Sequence, residues 1–377
     1  MDDNQTVDFW LLTTALMLAG IGLIMVYSSS MYLSMEEAGD GMYYFKKQAI
    51  RLLLGLCAMM VLTKVNYRGY LKIGLFLLCL GFGMLGLLLV QKHYSGRTVE
   101  RWLRLGWIAF QPSELMKVIM IIFLASALAK MGEKVRDLKK GFMPLLLAIG
   151  MAFLLVVLEP DLSTAGFIVV IGFSMLFMGR AKLLHLFMVT FPTLGVMTFV
   201  VKMVPYMQKR VDLFLNNTGG YQVNQSIISI GSGGLFGVGL GNSTQKFLFL
   251  PENHTDFVFS IFAEEVGFIG TTVLLILMFV YVMRGFRIAS QAPDMFGFLL
   301  ASGLSMMIGL QVFINIGVAT KILPTTGMTL PFISYGGSSL LLSFIATGVL
   351  LNISKQGNYE RRLSKEYGMR LNRRSVW

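Results

Sequence analysis

The chain has 377 residues, of which 55% are hydrophobic and only 14% are charged, and its mean hydropathy is +0.69. A soluble globular domain carries about 25% charged residues, so this composition excludes an ordinary soluble enzyme and predicts a polytopic membrane protein. The net charge of +12 would suggest nucleic acid in a soluble protein, but here it is interpreted as membrane topology, and no nucleic-acid partner is expected.

About ten apolar segments are candidate transmembrane helices, because roughly 20 apolar residues are needed to cross about 30 Å of hydrocarbon. The acidic start, MDDNQTVDFW, lacks the basic region of a signal peptide, so the first segment is expected to remain as a span. The predicted fold class is an all-α polytopic membrane protein with a single domain over 1–377. The spans are predicted at roughly 9–28, 48–63, 70–90, 114–130, 142–158, 163–179, 184–204, 257–283, 295–318 and 332–352.

Neither cysteine indicates a disulfide or a metal site. Cys57 and Cys79 both lie within apolar segments, where a cysteine is usually a buried small hydrophobic residue. The sequence has no CxxC motif and no Cys/His spacing typical of a metal site, so no metal ligand is assigned.

The distribution of Lys and Arg sets the predicted orientation in the membrane. Placing both termini in the cytoplasm, which an even number of spans allows, puts the larger share of the 32 basic residues on that side, including a tail at about 353–377. The large loop between spans seven and eight, at about 205–256, then lies on the extracytoplasmic side with the loops at 91–113 and 319–331. Chemistry in these loops has no access to cytoplasmic ATP, so a donor must arrive already activated and attached to lipid.

Three ionisable side chains, Glu252, His254 and Asp256, close the large loop in the segment PENHTDF. A carboxylate at a membrane boundary is costly to desolvate. One interpretation is that Thr255 or Asp256 caps the following helix. The other is that partial desolvation raises the proton affinity of Asp256, which then acts as a general base on a sugar hydroxyl. The residues alone leave both interpretations open, and Glu252 and His254 are candidate substrate-binding neighbours.

A second group of charges begins the fourth span, in the segment QPSELMK. Glu114 and Lys117 share one helical face and are expected to pair, because an unpaired lysine inside a membrane is costly. The pair is either structural or the cationic wall of a cavity that binds anionic head groups. Ser113 is a candidate cap for this helix, and Asp161, in a kinked Glu-Pro-Asp turn, is a candidate to orient Lys117.

Other side chains on the predicted outer face are candidate contacts for a phosphate or a sugar. Trp102 is either an anchor at the membrane interface or a platform for a sugar ring. Lys and Arg are usually more frequent in cytoplasmic loops, so basic residues on the outer face are candidates for a function. An arginine there can hold a pyrophosphate with two hydrogen bonds. The basic candidates are Arg101, Arg104, Arg210 and Lys246.

Two glycine-rich segments lie among these residues. The segment IGSGGLFGVGLGN at 230–242 lacks the strand, helix and GK[ST] signature of a phosphate loop, and is interpreted as a turn system for the outer loop. Backbone contact with a pyrophosphate is the weaker alternative. The segment LPTTGMTLPFISYGGSS at 323–339 predicts a re-entrant cap on a cavity. Glu264 and Glu265, inside the eighth span, are expected to be packing groups.

Four segments together resemble the shape, elongation, division and sporulation family of polytopic peptidoglycan polymerases. They are FQPSELMK at 110–117, EPDLSTA at 159–165, the stretch at 225–270 that contains PENHTDFVFSIFAEEVGFIG, and LPTTGMTLPFISYGGSSL at 323–340. The resemblance covers nearly the whole chain. The spacing of the large loop is more similar to the division member of the family than to the elongation member.

The resemblance implies a glycosyltransferase that uses lipid II. It also implies work at the division septum with a cognate class B penicillin-binding protein and other membrane proteins of the division machinery. The chain departs from the family pattern at Glu159, where Gln is frequent, at Glu100, where a basic residue is common, and at Ser260, where Ala is usual. The family's catalytic aspartate falls on Asp256, and its other motif positions fall on Glu114, Lys117, Asp161, Trp102 and Lys47-Gln48.

The leading hypothesis is an inverting glycosyltransferase of the cytoplasmic membrane, which joins lipid II units into β-1,4 glycan at the outer face. Asp256 would be the base, and Lys117 with outer arginines would stabilise the departing pyrophosphate. A divalent cation, magnesium or manganese, is left open as a further source of positive charge. Two alternatives come from other classes: a transporter that flips lipid II, although no clear inverted repeat is visible, and a non-catalytic scaffold for the transpeptidase.

Overall fold

The computed structural model describes residues 7–95, 101–105, 108–203, 208, 211–214, 220–247 and 249–366. These ranges are almost entirely helical. The helices are α1 (Phe9–Ala38), α2 (Tyr43–Lys64), α3 (Tyr70–Ser95), α4 (Pro112–Met131), α5 (Met143–Leu158), α6 (Leu162–Met178), α7 (Leu183–Met203), α8 (Gly220–Ser232), α9 (Val258–Ser290), α10 (Met295–Ala319) and α11 (Gly337–Glu366).

A helix lies at each of the ten segments that were predicted to span the membrane. Within the described ranges, eight helices are long and apolar enough to cross a bilayer, and α6 is apolar but shorter. Helix α2 is long enough but is not among the eight. The all-α membrane fold is therefore confirmed, whereas the count of ten spans stays a prediction.

The structure differs from the sequence prediction in the connecting segments. The stretch after α3 forms an antiparallel hairpin of β1 (Leu103–Leu105) and β2 (Ile108–Phe110), in which Arg104 pairs with Ala109. The large loop contains α8, which packs on α9. The basic tail is helical as far as Glu366, because α11 continues past the apolar segment.

Helices α4, α10 and α11 form the centre of the bundle, and most of their apolar residues are buried. Helices α1, α2, α3 and α7 turn leucine and phenylalanine side chains outward, as a lipid-facing surface requires. Cys57 and Cys79 lie on this outward surface as free thiols, so the prediction that they are buried was wrong. An apolar segment in a membrane carries no one-sided hydrophobic stripe, so its sequence does not tell which face is buried.

Ion pairs join helix ends at one end of the bundle. Arg68, just before α3, contacts Asp294 at 2.8 Å and Glu360 at 2.7 Å, and so ties the start of α3 to the start of α10 and the end of α11. Arg284 of α9 pairs with Asp8 at the start of α1. These segments were all predicted to lie on one side of the membrane, and they meet at one end of the fold.

The glycine-rich segment is built into a break in helix α9. Gly267 has φ 69° and ψ −170°, a conformation outside any helix, so α9 is interrupted there. The loop fills the break: the N–H groups of Val238 and Gly239 donate to the carbonyls of Glu264 and Glu265, each at 3.0 Å. Because these two N–H groups already donate to carbonyls of the protein, they are not available to bind a pyrophosphate. These contacts match the interpretation of the segment as a turn system.

Candidate functional site

Asp256 lies in a tight turn that leads into α9. Glu252 adopts a left-handed backbone conformation with φ 56°, and its carbonyl accepts hydrogen bonds from the N–H groups of Thr255, Asp256 and Phe257. A non-glycine residue with positive φ is strained, and such strain is frequent at functional sites. The N-cap residue of α9 is Phe257, which makes no side-chain cap hydrogen bond. Neither Thr255 nor Asp256 is therefore the N-cap residue, contrary to one of the two interpretations of the sequence.

Asn315, near the end of α10, holds this turn against the 323–339 segment. Its side-chain amide donates to the backbone carbonyl of Asp256 at 2.8 Å and to that of Met328 at 2.7 Å. A Cβ atom placed on Gly327 would lie 3.6 Å from the Oδ2 atom of Asp256, so the carboxylate lies directly over this glycine. Sequence reasoning missed Asn315, because a single amide inside an apolar segment has no distinctive pattern.

Two buried glutamates of α9 hold α8 and the loop that precedes the turn. The Glu264 carboxylate accepts hydrogen bonds from the hydroxyls of Ser229 and Ser243 and from both the N–H and the hydroxyl of Thr244. Glu265 pairs with Lys246 at 3.1 Å, and both side chains are buried. A buried carboxylate with this many donors is a fixed structural element. The prediction of Lys246 as a substrate contact stays untested, although its ammonium group is occupied inside the protein.

A cavity of about 310 Å³ opens beside the turn, between α6, α7, α10 and the 323–339 segment. We call it the amphipathic cavity. Its polar lining includes Arg101, Asp161 and Thr326, and Thr326 precedes the glycine under Asp256. Its remaining walls are apolar, with Phe167 and Ile314 among them. A cavity lined by both polar and apolar side chains suits a ligand that has a charged head group and a hydrocarbon chain.

Glu114 and Lys117 form the ion pair that the sequence predicted, on the first turns of α4. The Lys117 ammonium donates to the Oε1 atom of Glu114 at 2.7 Å, and the lysine side chain is only 1% exposed. The ammonium also lies 5.0 Å from the ring centroid of Phe167, which lines the amphipathic cavity. The pair therefore lies behind the cavity wall, with the lysine ammonium next to Phe167.

Replacement of Lys117 by methionine is expected to destabilise the protein by about 3–5 kcal/mol, because it leaves the Glu114 carboxylate without its buried partner. The double variant Glu114→Gln/Lys117→Met removes both charges and should recover most of the thermal stability. Thermal unfolding of both variants in detergent measures this difference. Activity then separates the two interpretations of the pair. Recovered activity in the double variant indicates a structural pair, and persistent loss indicates that the Lys117 charge contacts the substrate.

Asp161 caps α6 and is held by a neighbouring amide. Its carboxylate accepts from the N–H of Thr164 at 3.2 Å and from the Nε2 atom of Gln111 at 3.1 Å. Gln111 is the cap residue of α4, and its side chain also donates to Ser113, so Ser113 does not cap that helix as predicted. Lys117 pairs with Glu114 rather than with Asp161. The predicted contact that would let Asp161 orient the lysine is thus absent from these described side chains.

Glu159, at the end of α5, is 0% exposed, and neither carboxyl oxygen has a hydrogen-bond partner within the described residues. Two cations bind the backbone of the same turn: Lys92 donates to the carbonyl of Leu158 and Arg101 to that of Pro160. Burial, aided by the Asp161 charge, raises the pKa of Glu159 to about 8 despite Arg101 and Lys92. A protonated glutamate resembles glutamine in shape and charge, which is consistent with the glutamine frequent in the family at this position.

The stability difference between Glu159→Gln and the natural chain is expected to depend on pH. An unfolded glutamate ionises near pH 4.5, whereas Glu159 in the folded chain keeps its proton to about pH 8. Between these two pH values the folded state binds more protons than the unfolded state. The free energy of unfolding of the natural chain therefore falls as pH rises. The melting temperature of the glutamine variant should therefore exceed that of the natural chain increasingly from pH 5 to pH 8. A constant difference across this range would contradict a raised pKa.

The remaining predicted contacts lie in different places. Trp102 is exposed, and the residue before it, Arg101, lines the amphipathic cavity. Lys47 donates to the hydroxyl of Tyr43 and lies 3.9 Å from its ring centroid, while the adjacent Gln48 is buried and donates to the Ser334 carbonyl. Arg210 lies outside the described residues. Within the described ranges, no group of three or more His, Cys, Asp or Glu side chains is arranged to hold a metal ion.

The chain matches known proteins over most of its length. A family model described as a cell cycle protein, and named for FtsW, RodA and SpoVE, matches residues 9–359. Stage V sporulation protein E of Bacillus subtilis (strain 168) is 40% identical over 358 residues, which cover 93% of this chain and 98% of that protein. A probable peptidoglycan glycosyltransferase FtsW of Coxiella burnetii is 40% identical over 362 residues, which cover 93% of this chain and 97% of that protein.

Solved structures share the fold. A chain from a peptidoglycan synthase complex that coordinates polymerization and crosslinking superposes with a TM-score of 0.75 at 28% identity, covering 93% of this chain and 98% of that one. The rod shape determining protein RodA of Thermus thermophilus superposes with a TM-score of 0.69 at 28% identity, covering 94% of this chain and 99% of that one.

Proposed function

The chain belongs to the cell cycle protein family that includes FtsW, RodA and SpoVE, and we propose that it polymerises lipid II with Asp256 as the general base. Its relatives include proteins named as probable peptidoglycan glycosyltransferases, and the chain is accordingly an enzyme of that class. One observation carries the assignment of roles: the Asp256 carboxylate lies over Gly327, next to the threonines that line the amphipathic cavity.

In the proposed reaction, the amphipathic cavity holds the donor, a glycan whose MurNAc C1 carries undecaprenyl pyrophosphate. The apolar walls suit the polyprenyl chain, and Arg101 and the positive charge of Lys117 suit the pyrophosphate. Asp256 takes the proton of a GlcNAc 4-hydroxyl, whose oxygen forms a bond to C1 as the bond from C1 to the pyrophosphate oxygen breaks. The leaving group keeps the bonding electrons. One displacement inverts the α-linked donor to a β-1,4 linkage.

The other predicted residues have supporting roles in this proposal. Asp161 lines the amphipathic cavity, and the exposed Trp102 follows Arg101 of the same lining. Arg210 and Lys47 are proposed outer-face contacts for the phosphate or sugar. A magnesium or manganese ion bound to the pyrophosphate stays a prediction, which polymerisation with EDTA and added cations would test.

Location and partners are also proposed from the family. The chain is placed in the cytoplasmic membrane with both termini in the cytoplasm and Asp256 on the outer face, in line with the Lys and Arg distribution. A class B penicillin-binding protein is the proposed partner, since a structural neighbour comes from a complex that performs polymerization and crosslinking. Work at the division septum, with other membrane proteins of division, rests on the similarity to FtsW.

The test is polymerisation by the purified chain, with and without its penicillin-binding partner, on fluorescent lipid II in liposomes. Glycan polymer that a muramidase degrades is the expected product. A flippase would instead move lipid II across the bilayer without forming polymer. A scaffold would bind the transpeptidase while neither polymer nor transfer is detected. Either of these two results would overturn the proposal.

A further inference from the structure

A second cavity lies against the turn that carries Asp256 and is lined by Glu252, Asn253 and His254 of that turn. Its volume is about 420 Å³, within the range of small-molecule sites. We call it the rim cavity. Its walls come from the end of α1, the start of α2 and the segment before α9. The lining side chains that could contact a ligand are those of Glu37, Tyr44, Pro251, Glu252, Asn253 and His254.

One wall of the rim cavity is aromatic. The rings of Tyr44 and His254 lie 5.2 Å apart, and each contacts Tyr335, at 4.9 Å and 5.6 Å between centroids. The guanidinium of Arg51 lies 4.7 Å from the Tyr335 ring and supports it from outside the cavity. These rings belong to three separate segments, so their packing is a property of the fold. A rigid aromatic surface of this kind can pack against the C–H face of a pyranose ring.

The polar groups of the rim cavity are fixed acceptors and a neutral ring. The Tyr44 hydroxyl donates to Glu37, and the Thr255 hydroxyl donates to Glu252 at 2.9 Å, so both carboxylates are oriented. Asn253 is 3.3 Å from the His254 Nδ1 atom. Burial lowers the pKa of His254, although Glu252 and Glu37 oppose the effect, so the ring is neutral at pH 7. Carboxylates accept hydrogen bonds from sugar hydroxyls but repel phosphates.

The two cavities differ in the charges of their lining, and the turn that carries Asp256 adjoins both of them. The amphipathic cavity is lined by Arg101 as well as Asp161, with the Glu114–Lys117 pair behind its wall, whereas Glu37 and Glu252 are, among the described residues, the charged ones that line the rim cavity, without a Lys or Arg. The N–H of Asp256 donates to the carbonyl of Glu252, so the base is attached directly to the rim cavity wall. A transfer reaction needs a site for an anionic donor and a separate site for the neutral hydroxyl that attacks it.

We propose that the rim cavity is the acceptor subsite, in which Tyr44, His254, Glu37 and Glu252 bind the terminal uncharged amino sugar and direct its 4-hydroxyl toward Asp256. This inference rests on the proposed function and adds the place and the chemistry of acceptor recognition. The proton of that hydroxyl goes to the Asp256 carboxylate, the oxygen bonds to the donor C1, and the pyrophosphate departs with the electrons of the broken bond.

The probe for this subsite is a water-soluble GlcNAc–MurNAc-pentapeptide that lacks both lipid and pyrophosphate. It should inhibit polymerisation by the full chain with its partner, because it competes for the acceptor position. Tyr44→Ala should raise its inhibition constant about tenfold, the loss of one well-packed aromatic contact. Tyr94→Ala is the matched control: this tyrosine is 85% exposed at the end of α3 and lines neither cavity. The control should leave the inhibition constant unchanged.

Two further variants keep the test decisive if Tyr44→Ala unfolds. Tyr44→Phe keeps the ring and removes only the bond to Glu37, and Glu37→Gln removes a charge at an exposed position. Each should raise the inhibition constant by about twofold to fivefold while the melting temperature stays within a degree or two. Unchanged inhibition constants in all folded variants would overturn the subsite while polymerisation itself continues. A failure of the proposed function would give a different result, because the natural chain itself would then form no polymer.

Discussion

Replacement of Asp256 by asparagine is expected to reduce the rate of glycan polymerisation by about 10²–10⁴-fold, the usual contribution of a general base. Asparagine has nearly the same shape but cannot accept the proton of the attacking hydroxyl. The measurement is the initial rate of polymer formation from lipid II by the variant and its penicillin-binding partner. The loss should appear in kcat rather than in lipid II binding, because the base acts in the transition state.

The fold of this variant should be unchanged, which makes the result interpretable. The turn is fixed through the backbone of Asp256, whose N–H donates to Glu252 and whose carbonyl accepts from Asn315. Neither contact involves the carboxylate that is replaced. Asparagine also keeps the size of the replaced side chain, so thermal unfolding and binding of the transpeptidase should stay close to those of the natural chain. Growth supported by the variant in cells would favour the scaffold alternative.

Asp137→Asn is a suitable control for the loss of one aspartate charge. Asp137 accepts hydrogen bonds from the N–H groups of Lys139 and Lys140, between α4 and α5 at the end of α4 away from Glu114. It should cost about 1 kcal/mol in stability at most and leave the polymerisation rate unchanged. If Asp256→Asn polymerised as fast as this control, the base would have to be another group, and Glu252 on the same turn would be the first to examine.

Much of the architecture could be predicted because the bilayer imposes a simple rule on the sequence. An apolar segment of the required length becomes a helix, and a helix lies at each of the ten predicted segments. Glu114 and Lys117 were predictable for the same reason, since charges inside an apolar segment must find partners. The 323–339 segment, rich in proline and glycine, does run into the bundle, where Phe332 packs against Tyr281 of α9.

The contacts that complete the site could not be predicted, because they join residues far apart in the chain. Asn315 lies 59 positions from Asp256, and a lone amide in an apolar helix gives no periodic signal. Gln111 was passed over although it lies within a recognised motif, since its partner Asp161 comes from another part of the chain. The rings of Tyr44 and Tyr335 come into contact only after α2 and the 323–339 segment pack together. Pairings of this kind are visible only in three dimensions.

The role of the glycine-rich segment also depended on tertiary structure. Its composition permitted a flexible turn or an anion-binding loop, and the sequence could not decide between them. The fold uses these glycines to bring two backbones together, where Gly237 and Gly267 touch across the break in α9. The break ends the short helical piece that begins after Asp256 and carries Glu264 and Glu265. The orientation of the proposed base is thus set partly by glycines outside the cavity.

Replacement of Gly267 by alanine is therefore expected to be strongly destabilising and to abolish polymerisation. The backbone conformation at Gly267, with φ 69° and ψ −170°, is nearly exclusive to glycine and would cost about 1–3 kcal/mol in any other residue. The new Cβ atom would also lie 2.2 Å from the backbone nitrogen of Gly237, so the two segments would have to separate. Thermal unfolding should show a loss of about 3 kcal/mol or more, since the clash adds to the strain.

Gly150→Ala provides the matched control for this substitution. Gly150 lies within α5, and a Cβ atom there would have no other heavy atom within 4 Å. Alanine at this position should be neutral or stabilise the helix by up to about 1 kcal/mol, with normal polymerisation. A Gly267→Ala protein that matched this control in stability and rate would show that the two segments can separate without harm. The break in α9 would then not be what fixes Asp256 in place, and the turn at Glu252 with its Asn315 contact would have to position the base alone.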